Sequence, residues 1–228
     1  VLEFTSNVKT RRYNAYYPWY FNTNSNASDK INLLGNCIYN TGSNLFMLRS
    51  TSTTINCQLD SVYYTTAYTP FGYFGSIVST FSSGGWKLNL KADLIDLAAN
   101  SLTTGIFHLT TAGNTLNFDG NILTNTISGA GRFIVSTTQA NTVNINGNIS
   151  ISGTGSTTNV LFQPQGGAEI NYKGKISGNY SGPVVKTYTG TVNINNSTIK
   201  STVDGVTTQL FKNGSTSLGT CRVSNSYV

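Results

Sequence analysis

A seven-residue pattern recurs along the chain, and its spacing constrains the fold more than any other feature. The pattern is apolar, Asn, apolar, any residue, Gly, Asn, apolar, and its clearest copies lie at 116–122 and 143–149. A third copy lies at 170–176, and 31–37 matches almost fully. Weaker copies begin at residues 2, 55, 88, 192 and 221, so nine copies follow one another 22 to 33 residues apart. A period in this range indicates a solenoid of stacked coils.

Each copy predicts a strand, a corner and the start of a second strand. Apolar and polar residues alternate with a period of two, as in a strand with one buried face. The Gly-Asn pair predicts a tight bend, because these residues reach left-handed backbone angles at the least cost. Asp60 and Asp93 stand where Asn is absent, and we expect them to take the same left-handed corner role.

A third apolar run follows in each coil and predicts a third strand. Candidate runs lie at 45–48, 106–109, 133–135, 160–162, 184–186 and 210–211. Three short strands in about 27 residues describe a triangular coil, and nine coils about 4.8 Å apart predict a rod roughly 40 Å long. Residues 1–228 are therefore predicted to form one all-β solenoid domain. Neither end carries a polar cap, so we expect the chain to be a fragment of a longer protein.

The repeat and its Gly-Asn corner resemble the right-handed parallel β-helix superfamily, often called pectin-lyase-like. The resemblance covers nearly the whole chain, is specific for fold and is weak for function. It implies right-handed coiling. The surface rich in Asn, Ser, Thr and Gly and the sparse charge are most similar to phage tailspikes, tail fibres and other virion surface proteins. That similarity implies a homotrimer of chains packed side by side.

Composition argues against two classes of partner. Only 10% of residues are charged, and the net charge of +6 comes from scarce acids rather than dense bases. The one tight basic group is Lys9, Arg11 and Arg12, so nucleic-acid binding is not predicted. No apolar stretch is long enough to cross a bilayer, so membrane insertion is not predicted either.

One asparagine in each of seven copies would form a column on the outside of the stacked coils. We interpret this column as an amide ladder in which each side chain bonds the next, as identical residues do in stacked sheets. A binding strip or an inter-chain face is the functional alternative. The predicted ladder consists of Asn32, Asn56, Asn89, Asn117, Asn144, Asn171 and Asn193.

Two aromatic-rich stretches, 9–29 and 62–86, depart from the repeat and are predicted to be loops or insertions. Tyr and Trp on a projecting loop offer an apolar face and a polar tip to a sugar ring or a protein. Packing against the coil side or against a sibling chain is the alternative. The candidate ligand-binding residues are Tyr16, Tyr17, Trp19, Tyr20, Tyr64, Tyr68, Phe71 and Tyr73.

The eight acidic residues do not assemble a predicted catalytic centre. Glycoside cleavage needs two carboxylates at a defined separation. Asp60 and Asp93 should approach each other at one corner, and Asp119 should form a surface ion pair beside Lys91 and Asn146. No catalytic residue, metal site or cofactor is predicted within this segment, and enzymatic activity is left open.

The single histidine and the three cysteines are predicted to be structural. His108 lies in an apolar strand run. The spacing of Cys37, Cys57 and Cys221 fits neither a disulfide framework nor a zinc site, and the first two fall at inward positions as reduced thiols.

These features favour the structural and receptor- or glycan-binding segment of a phage tail fibre or tailspike. Its expected partners are sibling chains in a trimer and a glycan or receptor on the host cell surface. The expected location is the virion surface or another extracellular site. Two alternatives stay open, a glycan-degrading lyase or hydrolase built on a β-helix and a secreted bacterial adhesin.

Overall fold

The described residues form a parallel β-solenoid with no helix among them. The computed structural model describes residues 2–5, 9–10, 19–21, 30–34, 38–40, 46–48, 54–63, 78–80, 85–101, 106–126, 134–151, 160–178, 182–201, 210–214 and 219–228. The predicted all-β parallel solenoid is therefore confirmed as the fold class.

The described residues include twenty-two strands. They are β1 Leu2–Thr5, β2 Lys9–Thr10, β3 Trp19–Phe21, β4 Lys30–Leu34, β5 Ile38–Asn40, β6 Phe46–Leu48, β7 Thr54–Tyr63, β8 Val78–Thr80, β9 Lys87–Ser101, β10 Phe107–Leu109, β11 Thr115–Thr126, β12 Val135–Thr137, β13 Thr142–Asn146, β14 Ile149–Ile151, β15 Phe162–Pro164, β16 Glu169–Lys173, β17 Lys175–Gly178, β18 Val185–Thr187, β19 Thr191–Asn195, β20 Thr198–Ser201, β21 Phe211–Asn213 and β22 Thr220–Ser224.

The first sheet stacks one strand from each copy of the repeat. Its order is β1-β4-β7-β9-β11-β13-β16-β19-β22, so chain order and spatial order coincide. The register aligns equivalent residues, and Asn117 pairs with Asn144 as Asn144 pairs with Asn171. Every outward residue therefore belongs to a column that runs along the solenoid axis.

The other two faces follow the same rule. A second sheet stacks β3, β6, β8, β10, β12, β15, β18 and β21 in chain order. Short strands after the corner pair with one another, as β14 does with β17 and β17 with β20. The part of the chain described most continuously, from β11 to β20, makes about three turns, fewer than the nine predicted coils. Beyond it, the coils are described mainly through their paired strands.

The core consists of columns of inward side chains, each covered by the coil before and the coil after. One column holds isoleucine in five successive coils: Ile95, Ile122, Ile149, Ile176 and Ile199, all nearly inaccessible. Burying one such side chain contributes about 1.5–3 kcal/mol. The aromatic pairs Phe107–Phe118 and Phe162–Tyr172, each with ring centroids 5.3 Å apart, join the first sheet to the second across the interior.

Glycine makes the corner between the first strand and the next. Gly120, Gly147 and Gly174 have φ angles of 149°, 149° and 147°, which residues with a Cβ rarely adopt. A Cβ at Gly147 would also overlap the carbonyl oxygen of Gly120 in the preceding coil. The corner therefore requires glycine both for its backbone angle and for the close approach of two coils.

The asparagine of the Gly-Asn pair has a role different from the predicted one. Asn121 and Asn148 have no positive φ; among described non-glycine residues only Asn196 and Asn225 do. Instead, Asn148 Nδ2 donates to Asn121 Oδ1 at 3.0 Å, and Asn121 Nδ2 donates to the Asp93 carbonyl at 3.0 Å. These side chains link successive corners, while the preceding residue, Gly120 or Gly147, adopts the special backbone angle. At the corners after β19 and β22 the same position holds Asn196 and Asn225, which have positive φ as asparagine can.

The prediction that Asp60 and Asp93 are left-handed corner residues is wrong. Both lie inside continuous strands, β7 and β9, without positive φ. The register passes from Leu59–Ala92 to Ser61–Leu94, so Asp60 and Asp93 form no bridge of their own. Ala92 occupies the position of Gly120 in the next coil. Asp93 and Leu94 separate Ala92 from Ile95, whereas Asn121 alone separates Gly120 from Ile122. The corner of β9 therefore contains one extra residue, and the register shifts there as at a β-bulge.

Gly147→Ala is expected to destabilise the solenoid by more than about 3 kcal/mol, because it combines backbone strain with overlap on the neighbouring coil. Urea unfolding followed by circular dichroism measures the effect. Gly167→Ala is the matched control, since Gly167 has φ of 79° but its added Cβ would meet nothing closer than 4.0 Å. Strain alone predicts about 1–2 kcal/mol there. Equal losses in the two variants would contradict the close-approach argument.

Candidate binding groove

A groove of about 580 Å³ lies along the outside of the first sheet. It crosses six successive coils, from β7 to β19, so its length is roughly 24 Å at about 4.8 Å per coil. Its volume is in the range of small-molecule and cofactor sites. The lining residues are Asn56, Cys57, Gln58, Asn89, Leu90, Lys91, Asn117, Phe118, Asp119, Asn144, Ile145, Asn146, Asn171, Tyr172, Lys173 and Asn195.

The floor of the groove is the asparagine column that the repeat predicts. Six hydrogen bonds of 2.7–2.9 Å join the seven side chains in sequence, from Asn32 to Asn193. In each bond the amide nitrogen donates to the amide oxygen one coil earlier. We name this column the amide ladder.

The amide ladder has one direction along its whole length. Its nitrogens point toward the first coil and its oxygens toward the last, so the amide dipoles align and polarise one another. The residue in register beyond the nitrogen end, at Asn32, is Glu3. The residue in register beyond the oxygen end, at Asn193, is Arg222. The sequence thus places an acid next to the donor end and a base next to the acceptor end.

Each inner amide of the ladder keeps hydrogen-bonding capacity for a ligand. A primary amide has two N–H donors and an oxygen with two lone pairs, and the ladder uses one of each. Asn193 differs, because its Nδ2 also donates to Glu169 Oε1 at 2.8 Å. The floor therefore presents a donor and an acceptor from every coil, about 4.8 Å apart.

The wall of the groove is an exposed column two residues beyond the ladder. It consists of Gln58, Lys91, Asp119, Asn146, Lys173 and Asn195. Asn146 Nδ2 donates to Asp119 Oδ1 at 3.3 Å, and Asp119 is the register partner of Lys91. Asp119 is the single carboxylate among the lining residues. The lining is thus equipped for hydrogen bonding and carries a charge of +1, but holds no pair of carboxylates.

Of the eight aromatic candidates, the structure describes the strand positions of two. Trp19 and Tyr20 lie in β3, which pairs with β6 in the second sheet. The other six, Tyr16, Tyr17, Tyr64, Tyr68, Phe71 and Tyr73, lie outside the described residues, as does most of the predicted insertion 62–86. The sequence signal that marks the groove wall is the polar column after each amide, which becomes visible once the nine copies are aligned.

The structure describes two of the three cysteines and the strand that contains the histidine. Cys57 is buried and reduced, Cys221 is half-buried, and burial raises the pKa of the Cys221 thiol. Cys37 lies outside the described residues, and His108 lies in β10. Within the described residues, no group of three His, Cys, Asp or Glu side chains could hold a metal ion. The same part of the chain contains no helix long and apolar enough to span a membrane.

Comparison of the chain with protein-family models, curated proteins and solved structures gives no match. The fold and the groove therefore define its class. The protein is a parallel β-solenoid with an amide-floored groove along its first sheet.

Asn117→Ala interrupts the ladder in its middle and is expected to cost about 1–3 kcal/mol, because it leaves Asn144 Nδ2 and Asn89 Oδ1 without partners. Urea unfolding measures the loss. Asn146→Ala is the matched control, because its 3.3 Å bond to Asp119 is exposed and its removal should cost less than about 0.5 kcal/mol. If the ladder amides contributed only as separate surface groups, Asn117→Ala and Asn146→Ala would lower the free energy of unfolding by equal amounts.

Proposed function

We propose that this chain is the structural and glycan-binding segment of a virion surface attachment protein, a phage tail fibre or tailspike. The observation that carries the proposal is the groove with its amide floor. In this proposal the solenoid is right-handed and pectin-lyase-like, and it works as a homotrimer outside the cell. Its ligand is a glycan on the host surface.

The chemistry of the groove favours an extended polyhydroxylated ligand. A sugar hydroxyl both donates and accepts hydrogen bonds, and each inner amide of the floor offers both functions. Five successive ladder amides line the groove, so the functions recur from coil to coil and suit a chain laid along the axis better than a compact molecule. Lys91, Lys173 and Asp119 on the wall add sparse charges to a mainly neutral surface.

The solenoid itself favours a mechanical role. Each coil is covered by its neighbours, so one continuous core of inward columns runs along the axis and stiffens the solenoid. Only 10% of the residues are charged. Exposed neutral side chains can pack against a sibling chain at a lower desolvation cost than charged ones. Both properties support a shaft made of several chains.

A glycan lyase or hydrolase is the second candidate function, and the carboxylate of Asp119 in the groove lining is the observation that supports it. Cleavage needs a second acidic or basic group at a defined distance from Asp119. A sibling chain packed beside the groove is the place from which such a group would come. A secreted adhesin would use the same groove but would not require the trimer that is proposed for the fibre.

Asn146→Trp is expected to block the groove and to weaken glycan binding at least about tenfold, a loss of about 1.4 kcal/mol. Calorimetric titration with purified host-type surface polysaccharides measures the affinity. Ser150→Trp is the matched control, because Ser150 lies in the same coil but outside the groove lining. Equal affinities in the two variants would place glycan binding elsewhere. Release of new reducing or unsaturated sugar ends in the same samples would favour the enzyme.

Light scattering on the intact protein tests the assembly, before and after heating in detergent. A resistant trimer is expected for the fibre. A monomer would contradict the tailspike form of the proposal and would favour an adhesin or a single-chain enzyme.

A further inference from the structure

Two lysines face each other on the second sheet, away from the groove. Lys186 of β18 and Lys212 of β21 are register partners on adjacent coils. Paired strands are about 4.8 Å apart, and like charges directly opposite each other destabilise a sheet. The sequence therefore retains an arrangement that weakens the fold at this point.

Lys186 is held in place by an aromatic ring. Its Nζ lies 5.3 Å from the centroid of the Tyr188 ring. The ring packs closely on Gly214, where an added Cβ would come within 2.7 Å of the Tyr188 Cζ. Gly214 N in turn donates to the Thr187 carbonyl at 2.7 Å. A ring contact positions an ammonium group without cancelling its charge.

No carboxylate lies on the described strands of the second sheet. One coil before Lys186, the equivalent position holds Gln163, and before that Ser136. Lys91 in the groove differs, because Asp119 is its register partner. The sheet thus provides its lysine pair with amide and hydroxyl neighbours instead of acids.

The surrounding coils are also basic. Residues 169–228 contain six lysines and arginines and two acids, so they carry +4 of the net charge of +6. Such a segment raises the local concentration of anions. Two ammonium groups opposite each other supply donors from two sides to one tetrahedral oxyanion.

We propose that Lys186 and Lys212 form a binding site for a phosphate-type oxyanion, with Tyr188 positioning Lys186. The site takes a phosphate group, either as a free ion or as a substituent of a surface polymer. It is independent of the groove and does not rest on the proposed function.

Thermal unfolding with inorganic phosphate, at constant ionic strength, tests the site. Phosphate is expected to raise the Tm of the wild-type protein, since a ligand that binds only the folded state stabilises it. Lys212→Gln is expected to raise the Tm without phosphate and to weaken phosphate binding about tenfold or more. Lys200→Gln is the matched control, because it removes the same charge at an exposed position whose register partner is Ser177. It should keep the phosphate response.

Two results would overturn the site. One is an equal phosphate response in Lys212→Gln and Lys200→Gln, which would show a general charge effect. The other is a lower Tm of Lys212→Gln without phosphate, which would show that the lysine stabilises the fold.

Titration with phosphorylated dextran, with plain dextran as the control, distinguishes the two sources of the phosphate group. Tighter binding of the phosphorylated polymer than of inorganic phosphate supports a polymer ligand, and equal binding supports a free ion. Asn146→Trp should keep the response, which separates this site from the groove.

Discussion

Parallel pairing between neighbouring coils is the interaction on which the rest of this structure depends. A single coil has no core of its own, and its inward side chains are buried only when another coil lies on each side. Pairing also fixes the register, and the register turns each position of the repeat into a column. The isoleucine column of the core and the amide ladder of the surface are both consequences of one alignment. A shift by one residue would turn the buried face outward and disrupt both columns at once.

Much of this architecture could be predicted because the repeat encodes the register directly. Equivalent residues of successive copies, such as Asn117 and Asn144, are paired as their spacing requires. The corner could be located but not described in detail. The pattern shows that a bend follows the first strand, yet whether Gly147 or Asn148 adopts the special angle depends on the distance between two backbones. At the Asp93 corner, one residue more than in the next coil shifts the register between the two strands.

The groove was less accessible to sequence reasoning than the ladder beneath it. A hydrogen-bonded column needs only matched residues at one position, whereas a concave surface depends on how two neighbouring columns are inclined. The wall residues Lys91, Asp119 and Asn146 share polarity but no residue type, so the aligned copies reveal an outward column without showing that it borders a groove. The two aromatic-rich stretches depart from the repeat, so the alignment that assigns the ladder residues to one face assigns these residues to none.

The uniform direction of the amide ladder has a consequence for anything that lies on it. In all six bonds the amide nitrogen donates to the amide oxygen of the preceding coil, so the two directions along the floor are chemically different. A linear polymer also has two different ends. Turning such a polymer around exchanges the order in which it meets donors and acceptors within every coil. A polymer bound as proposed would therefore meet chemically different surfaces in its two orientations, and its direction along the coil axis would be defined.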